Sequence, residues 1–210
     1  MNENENYNEW KNIHQAFELK YHQQGNFRWP GREELWDEQW DNIFSLFAKQ
    51  TKDQFTDDNI LIDVGCGSRP ALNWFTHGKK YNIDPLLNDY LKIEVLKHHW
   101  DSSSEDQLIS APAEDLQSSL FQKADLILCW NVLDHTYDWK KILNNCHQYL
   151  KPTGTFILGT DHGGKKHIGH PGINNSEELF QEIESNFNTQ YYSKRGFKRS
   201  RVGSWVLTKK

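Results

Sequence analysis

The sequence predicts an α/β domain with a doubly wound, mostly parallel β-sheet. Three observations lead to this fold class. From residue 60 onward, short apolar runs alternate with segments of helical periodicity, as they do in βαβ units. The first apolar run ends in a glycine turn followed by a proline. Two β-rich pieces at the end of the chain should pair as an antiparallel hairpin.

Two amphipathic helices are expected before the sheet, separated by Pro30-Gly31. Their apolar residues recur at helical spacing, at Trp10, Ile13, Phe17 and Tyr21 in the first helix and at Leu35, Trp36, Trp40, Ile43, Phe44 and Phe47 in the second. Such faces need a surface to cover, either a ligand crevice or an edge of the sheet. We expect residues 1–55 to form a helical lid and residues 56–210 to form the domain that carries the site.

The stretch from Ile60 to Pro70 predicts a buried parallel strand, a tight turn and the start of a helix. Its first part is apolar apart from Asp63, which is typical of a strand buried on both faces. Gly65 and Gly67 allow the backbone to turn sharply and to approach a ligand closely. Pro70 suits the first turn of a helix, helix A, whose packed face would hold Ala71, Leu72, Trp74 and Phe75. This arrangement forms half of a nucleotide-binding crevice, the alternative being a glycine turn that binds nothing.

A second strand is predicted over residues 80–83, and it ends at Asp84-Pro85. Asp84 follows Gly65 by 19 residues. An acid at about this distance, at the carboxyl end of the next strand, commonly accepts hydrogen bonds from ribose hydroxyls. An ordinary turn aspartate before a proline is the alternative. The combination with the glycine turn favours the ribose role.

Three more strands, two helices and the hairpin follow in order. The strands are Leu108-Ile109, which leads to Ala113-Glu114-Asp115; residues 125–129, which exit at Trp130-Asn131; and residues 155–159, after a turn at residues 151–154. Helices are expected at residues 139–150 and 176–187, the second with Ser176 as its N-terminal cap. Residues 189–193 and 204–208 should form the hairpin. The alternation of strand and helix predicts parallel pairing in the rest of the sheet.

Charge and composition limit the partners of the protein. The chain has 210 residues and a net charge of −5, although residues 194–210 carry seven basic residues and no acid. Apart from this local basic edge, the balance makes nucleic acid an unexpected partner. Three cysteines without a C-x-x-C pair indicate neither a disulfide framework nor a zinc site. No apolar run approaches about 18 residues, so we expect a cytoplasmic protein without a membrane partner.

With these turns in place, the chain resembles the class I S-adenosylmethionine-dependent methyltransferases of the broad small-molecule type, over roughly residues 58–160. The segment from Asp63 to Gly67 is similar to that family's first motif, and Asp84 to its ribose-binding acid. The resemblance implies a Rossmann-like sheet and S-adenosyl-L-methionine as cofactor. It also implies a set of cofactor-binding residues: Asp63, Gly65, Cys66, Gly67, Asp84, Pro85, Ala113, Glu114, Asp115, Trp130 and Asn131.

Two other functions compete with this interpretation. An NAD-dependent oxidoreductase would require a third glycine three residues after Gly67, where this chain has Pro70. A methyltransferase for RNA or another polyanion would use the basic C-terminal hairpin. The turn after the fourth strand, residues 129–132, lacks the Asn/Asp-Pro-Pro-aromatic tetrapeptide associated with methylation of exocyclic base nitrogens. A small-molecule acceptor is therefore expected, a sugar or natural-product hydroxyl in the first place.

A hydroxyl acceptor must lose a proton, so a base with a pKa near neutrality assists the reaction. The catalytic candidates are His135, after the fourth strand, and His162 and His170, in the glycine-rich segment after the fifth. His135 is the first choice, because the turn after the fourth strand faces the crevice. Asn131, Asp134 and His135 with a later histidine also resemble the acid-and-histidine metal pattern of some methyltransferases. Asn131 is a poorer ligand than a carboxylate, so no metal is assigned.

Overall fold

The computed structural model describes residues 3–24, 32–93, 107–162, 171–173, 175–194 and 202–210. The strands are β1 Ile60–Val64, β2 Lys79–Ile83, β3 Gln107–Ile109, β4 Ala124–Trp130, β5 Leu150–Asp161, β6 Phe187–Lys194 and β7 Val202–Lys209. They form one seven-stranded sheet in the order β3-β2-β1-β4-β5-β7-β6. The first five strands pair in parallel, whereas β7 is antiparallel to both β5 and β6. The predicted fold class is confirmed.

The helices lie before and between the strands. Two segments precede the sheet, α1 Glu3–Glu9 continuing through a π-helical turn Trp10–Gln15 into α2 Ala16–Gln23, and α3 Arg32–Asp41 continuing into a π-helical turn Asn42–Phe47. The others are α4 Leu87–Tyr90, α5 Trp139–Tyr149 and α6 Ser176–Asn186. Residues 3–23 are called the N-terminal helix below, and residues 32–47 the second helix.

Each face of the sheet is buried by a different set of helices. On one face, Ile62, Ile127 and Phe156 pack in a buried cluster that includes side chains of α5 and α6. On the other face, Leu61, Leu126, Leu128 and Ile157 pack in a cluster with side chains of the second helix. Strands covered on both sides are mostly apolar, which explains why β1 and β4, apart from Asp63 and Asp125, have no alternating pattern.

The second helix is part of the core. Phe44 is fully buried, and its ring contacts those of Trp40, Trp74 and Phe75 at centroid distances of 5.7, 5.1 and 4.8 Å. Phe47 is buried as well and lies 5.2 Å from the ring of Tyr191 on β6. The second helix therefore packs on one face of the sheet. The lid role expected for residues 1–55 remains a prediction, and it now concerns the N-terminal helix.

The N-terminal helix lies at the carboxyl edge of the sheet. Near its start, the Trp10 indole Nε1–H donates to the backbone carbonyl of His135, which follows β4, over 2.9 Å. Near its end, Leu19 packs against Leu86 and Tyr90, which follow β2. The predicted apolar stripe is wrong for Ile13 and Phe17, which are 44% and 42% exposed. The spacing of the apolar residues predicted a helix there. It did not identify the side of the helix that meets the domain.

Three local predictions are corrected. Helix A is a single 3₁₀ turn, Ala71–Trp74, because Pro70 is extended (ψ 101°) and Phe75 returns to an extended conformation (ψ 137°). The turn expected at residues 151–154 belongs to β5, as a local irregularity between the pairs Ala124–Leu150 and Leu126–Thr155. The cap of α6 is Asn175, whose side chain accepts from the N–H of Glu177. The Ser176 hydroxyl is engaged by His162 instead, over 2.8 Å.

No helix among the described segments combines the length and the apolar character that crossing a membrane requires.

Replacing Phe44 by alanine should lower the free energy of unfolding by about 3–5 kcal/mol, because it opens a cavity against Trp40, Trp74 and Phe75. Urea unfolding followed by circular dichroism would measure the change. Leu46→Ala on the same helix is the matched control, since Leu46 is 57% exposed. It should stay within about 0.5 kcal/mol of the parent. Equal stability of the two variants would show that the second helix lies outside the cooperative core.

Candidate active site

The two glycines of the turn after β1 have different tasks. Both have positive φ, +72° at Gly65 and +64° at Gly67. A Cβ on Gly65 would lie 2.5 Å from a methyl group of Val132, so Gly65 allows the turns after β1 and β4 to touch. A Cβ on Gly67 would have no atom of the described residues within 4 Å. The backbone at Gly67 therefore faces open space, where a ligand can approach closely.

Asp84 borders the same space and ties two turns together. Its Oδ2 accepts from the N–H of Gly67 over 3.0 Å, and its Oδ1 accepts from the N–H of Leu86 over 2.8 Å. Burial raises the pKa of Asp84 to about 6, against the lowering effect of these two N–H groups. The side chain is consequently a carboxylate at neutral pH. It stands next to Gly67, and its predicted contact with a ribose remains a prediction.

Asp63 is more deeply buried and faces Asn82 in the register of β1 and β2. The backbone N–H of Ala71 hydrogen-bonds to its carboxyl group, while its Oδ2 has no hydrogen-bond partner among the described residues. The same is true of both side-chain polar atoms of Asn82. Burial, followed by the charge of Asp84, raises the pKa of Asp63 to about 8. Asp63 is therefore largely protonated at neutral pH, beneath the glycine turn.

Glu114 joins the turn after β3 to the segment after β4. Its Oε1 accepts from the N–H groups of Tyr137 and Asp138 over 3.1 and 3.3 Å. Its Oε2 is buried without a partner in the described part of the chain. Burial raises the pKa of Glu114 to about 7. The amide of Asn145 on α5 donates to the carbonyls of Ala113 and Glu114, so this turn has a fixed position.

The other predicted cofactor residues lie on these same turns. Cys66 is buried between the two glycines, and burial raises the pKa of its thiol. Pro85 is half-buried after Asp84, and Asp115 is exposed after Glu114. Trp130 and Asn131 end β4 at the same edge of the sheet. The structure thus brings the set to neighbouring turns, and contact of each member with a cofactor remains a prediction.

The exit of β4 holds His135 in a polar cluster. Asn131 has a left-handed backbone (φ +59°), and its Nδ2 lies 3.3 Å from His135 Nε2. Asp134 Oδ2 is 3.7 Å from the same nitrogen. The other carboxylate oxygen of Asp134 accepts from the Thr160 hydroxyl on β5 over 3.3 Å. His135 is 23% exposed, which leaves the imidazole accessible from the crevice edge.

The remaining catalytic candidates have a different environment. His162 is 7% exposed, its Nδ1 lies 2.8 Å from the Ser176 hydroxyl, and its ring contacts Phe180 and Trp205. Burial lowers the pKa of His162, so the imidazole is neutral. These contacts are those of a packed histidine under α6. His170 lies outside the described residues. So does His167, another histidine of the segment after β5.

Two site features were missed at the sequence level. Among nearby charges, Glu18 raises and His22 lowers the pKa of Asp84, after the larger effects of burial and of the N–H groups of Leu86 and Gly67. Both residues belong to the N-terminal helix, on a side that its apolar stripe did not indicate. Thr160, which orients Asp134, had no sequence signal. In the described segments, no group of three His, Cys, Asp or Glu side chains is arranged to hold a metal ion.

Comparison with known proteins gives a family and a fold. Residues 33–199 match the family model described as "Methyltransferase domain". No curated protein sequence matches the chain. Among solved structures, a protein of Pyrococcus horikoshii OT3 is similar with a TM-score of 0.64 at 13% identity, covering 85% of this chain and 92% of that one.

Two further structures were solved with a bound product. The N-methyltransferase NodS of Bradyrhizobium japonicum WM9, in complex with S-adenosyl-L-homocysteine, has a TM-score of 0.62 at 13% identity and coverage of 86% and 88%. The 1,6-didemethyltoxoflavin-N1-methyltransferase of Burkholderia thailandensis, with its substrate and S-adenosylhomocysteine, has a TM-score of 0.59 at 12% identity and coverage of 94% and 90%. At these identities the likeness concerns the fold.

The buried acids should make the stability of the protein fall as the pH rises. The folded state keeps a proton on Asp63 up to a pKa of about 8, whereas the unfolded chain releases it near the ordinary aspartate pKa of 3.8. Between these limits the folded state binds more protons, so each such group lowers the free energy of unfolding by up to about 1.4 kcal/mol per pH unit. Thermal unfolding without ligand from pH 5 to pH 9 would show the slope.

The matched variants are Asp63→Asn and Asp58→Asn. The first stays neutral at every pH and should flatten the slope between about pH 6 and pH 8. Asp58 is 99% exposed, so its replacement should keep the parent slope. An Asp63→Asn protein with the parent slope would show that Asp63 is ionised in the folded state.

Proposed function

Because the chain belongs to the methyltransferase domain family, and is therefore a methyltransferase, we propose that it transfers the methyl group of S-adenosylmethionine to a small-molecule hydroxyl, on a sugar or natural product. One observation carries the cofactor part of this proposal: the open space at Gly67 beside the Asp84 carboxylate. A buried carboxylate and exposed backbone at neighbouring turns suit a ligand with ribose hydroxyls at one end and an amino acid at the other.

Each part of the cofactor has residues of suitable chemistry. Asp84 would accept hydrogen bonds from the ribose hydroxyls. The amino-acid end would lie along the backbone from Gly65 to Gly67, where no Cβ obstructs it at Gly67. Residues 113–115, at the exit of β3, would border the adenine. This placement is supported by the strand order, in which β3, β2, β1 and β4 are successive neighbours.

The cofactor supplies an activated methyl group on a sulfonium, and the chain must supply position and a base. Holding both partners in attack geometry is worth about 7–11 kcal/mol at best. In the Asn131–His135 contact the amide donates, so Nε2 is the unprotonated nitrogen of the imidazole. Nε2 would take the proton of the hydroxyl as the Asn131 amide releases its lone pair. The positive charge formed on the ring would be stabilised by Asp134 Oδ2, 3.7 Å away.

The two competing functions have weaker support. The family match is to methyltransferases, which does not favour the NAD-dependent oxidoreductase. The polyanion hypothesis rests on the basic C-terminal segment, and most of its central part, residues 195–201, lies outside the described residues. Because two similar structures belong to N-methyltransferases, the acceptor atom is the part of the proposal that most needs a test.

A panel of sugar and natural-product alcohols, each paired with the matching amine, would test the acceptor. The readout is formation of S-adenosylhomocysteine together with the mass of the methylated product. Methylation of alcohols in preference to the paired amines supports the proposal. Methylation restricted to the amines would replace the hydroxyl with a nitrogen acceptor.

Replacing Asp84 by alanine should lower the affinity for S-adenosylhomocysteine at least about tenfold, because two charge-assisted hydrogen bonds to ribose are lost. Calorimetry would measure it, with parent binding expected in the micromolar range, about −8 kcal/mol. Asp89→Ala, on α4 in the next turn, is the control. Unchanged affinity of Asp84→Ala would make Asp84 a turn residue only.

Replacing His135 by alanine should lower turnover by about 10²–10⁴-fold while cofactor affinity is kept, the usual scale for a general base. The parent rate should rise with pH through the imidazole range and then level off. His77→Ala is the matched control, since that histidine is exposed and bonds to Asp57 at the opposite end of β2. A His135→Ala enzyme within a few-fold of the parent would exclude His135 as the base.

A further inference from the structure

The N-terminal helix meets the domain with a mixed side, apolar at Trp10 and Leu19 and polar between and beyond them. Ile13 and Phe17 face solvent, while Gln15, Glu18 and His22 are half-buried on the side that meets the domain. A surface helix normally buries its apolar stripe and exposes its polar residues. A polar inner side is favourable where a helix lies over a polar ligand site.

The anchors of this helix lie on both sides of β1. Trp10 is bound to the carbonyl of His135 after β4, and Leu19 packs against Leu86 after β2. The strand between β2 and β4 is β1. Nine residues of helix rise about 13 Å, and two strand spacings amount to about 10 Å. The middle of the helix therefore crosses the glycine turn that follows β1.

Three polar groups occupy the inner side of this crossing. Gln15 Oε1 is buried and has no hydrogen-bond partner among the described residues. One turn further, Glu18 Oε1 lies 3.2 Å from His22 Nε2. The His22 ring meets the Tyr90 ring edge-on at 4.9 Å. After burial and the N–H groups of Leu86 and Gly67, the charges of Glu18 and His22 also act on the pKa of Asp84, so both lie within electrostatic range of this carboxylate.

We propose that this inner side is the roof of the cofactor site, with Glu18 and His22 at the ribose hydroxyls and Gln15 at the amino-acid end. The inference rests on the proposed function. Its direction follows from the anchors, since Glu18 and His22 lie toward β2 and Asp84, while Gln15 lies at the middle of the crossing, over the turn that follows β1. Ribose hydroxyls suit a carboxylate and an imidazole as partners, and an α-ammonium group suits an amide oxygen. The polar groups of this inner side would be satisfied by hydrogen bonds to the cofactor and not by packing against the domain.

Two ligands distinguish the contacts of this roof to the ribose from its contacts to the amino-acid end. S-adenosylhomocysteine has both the ribose and the amino-acid end, whereas 5′-methylthioadenosine keeps the adenine and the ribose but lacks the amino-acid end. Calorimetry on the full chain would compare Gln15→Leu, Glu18→Gln and His22→Ala with Lys20→Ala, an exposed position on the same helix. Melting without ligand would check that each variant is folded; the helix keeps its anchors at Trp10 and Leu19 in all four.

We expect His22→Ala and Glu18→Gln to lose about tenfold in affinity for both ligands, and Gln15→Leu to lose about tenfold for S-adenosylhomocysteine only. Lys20→Ala should bind both ligands as the parent does. The proposal is overturned if the three inner-side variants bind both ligands like Lys20→Ala, or if Gln15→Leu weakens both ligands equally. A parent protein that binds neither ligand would refute the proposed function itself.

Discussion

The hydrogen bond from the Gly67 N–H to Asp84 joins the turns that follow β1 and β2, and the geometry of the crevice depends on it. The same carboxylate holds the Leu86 N–H, so it also fixes the start of the next segment. The turn after β4 is held against the first turn by the contact of Val132 with Gly65. The exits of three neighbouring strands are thereby held to one another, and they form one side of the crevice.

Three acidic side chains are buried in this arrangement. Asp63, Asp84 and Glu114 all have pKa values raised by burial, to about 8, 6 and 7. Desolvating a carboxyl group opposes folding unless hydrogen bonds replace the lost water, and here the replacement is partial. Raised pKa values and incompletely paired polar atoms concentrate at functional sites. The three buried carboxyl groups therefore lower the stability of the fold locally, and they are positioned for a ligand before it binds.

Much of the sheet and of the crevice could be predicted because both depend on local sequence. β1 is an apolar run followed by glycines, and Asp84 lies at a characteristic distance from Gly65. The rest depends on tertiary partners that spacing does not reveal. Ser176 and Asn175 are both good caps, and the pairing of Ser176 with His162 decided between them. The inner side of the N-terminal helix likewise differs in part from its apolar periodicity, since Trp10 is buried whereas Ile13 and Phe17 are exposed.

The place of β7 in the sheet has a consequence for the order of folding. β7 is the last strand along the chain, yet it lies between β5 and β6, paired with both. Until it arrives, β5 and β6 each present an unpaired edge, a template for pairing with another chain. Contacts that wait for the final strand also raise contact order and slow folding. A chain of this topology therefore exposes two strand edges to intermolecular pairing until β7 inserts between β5 and β6.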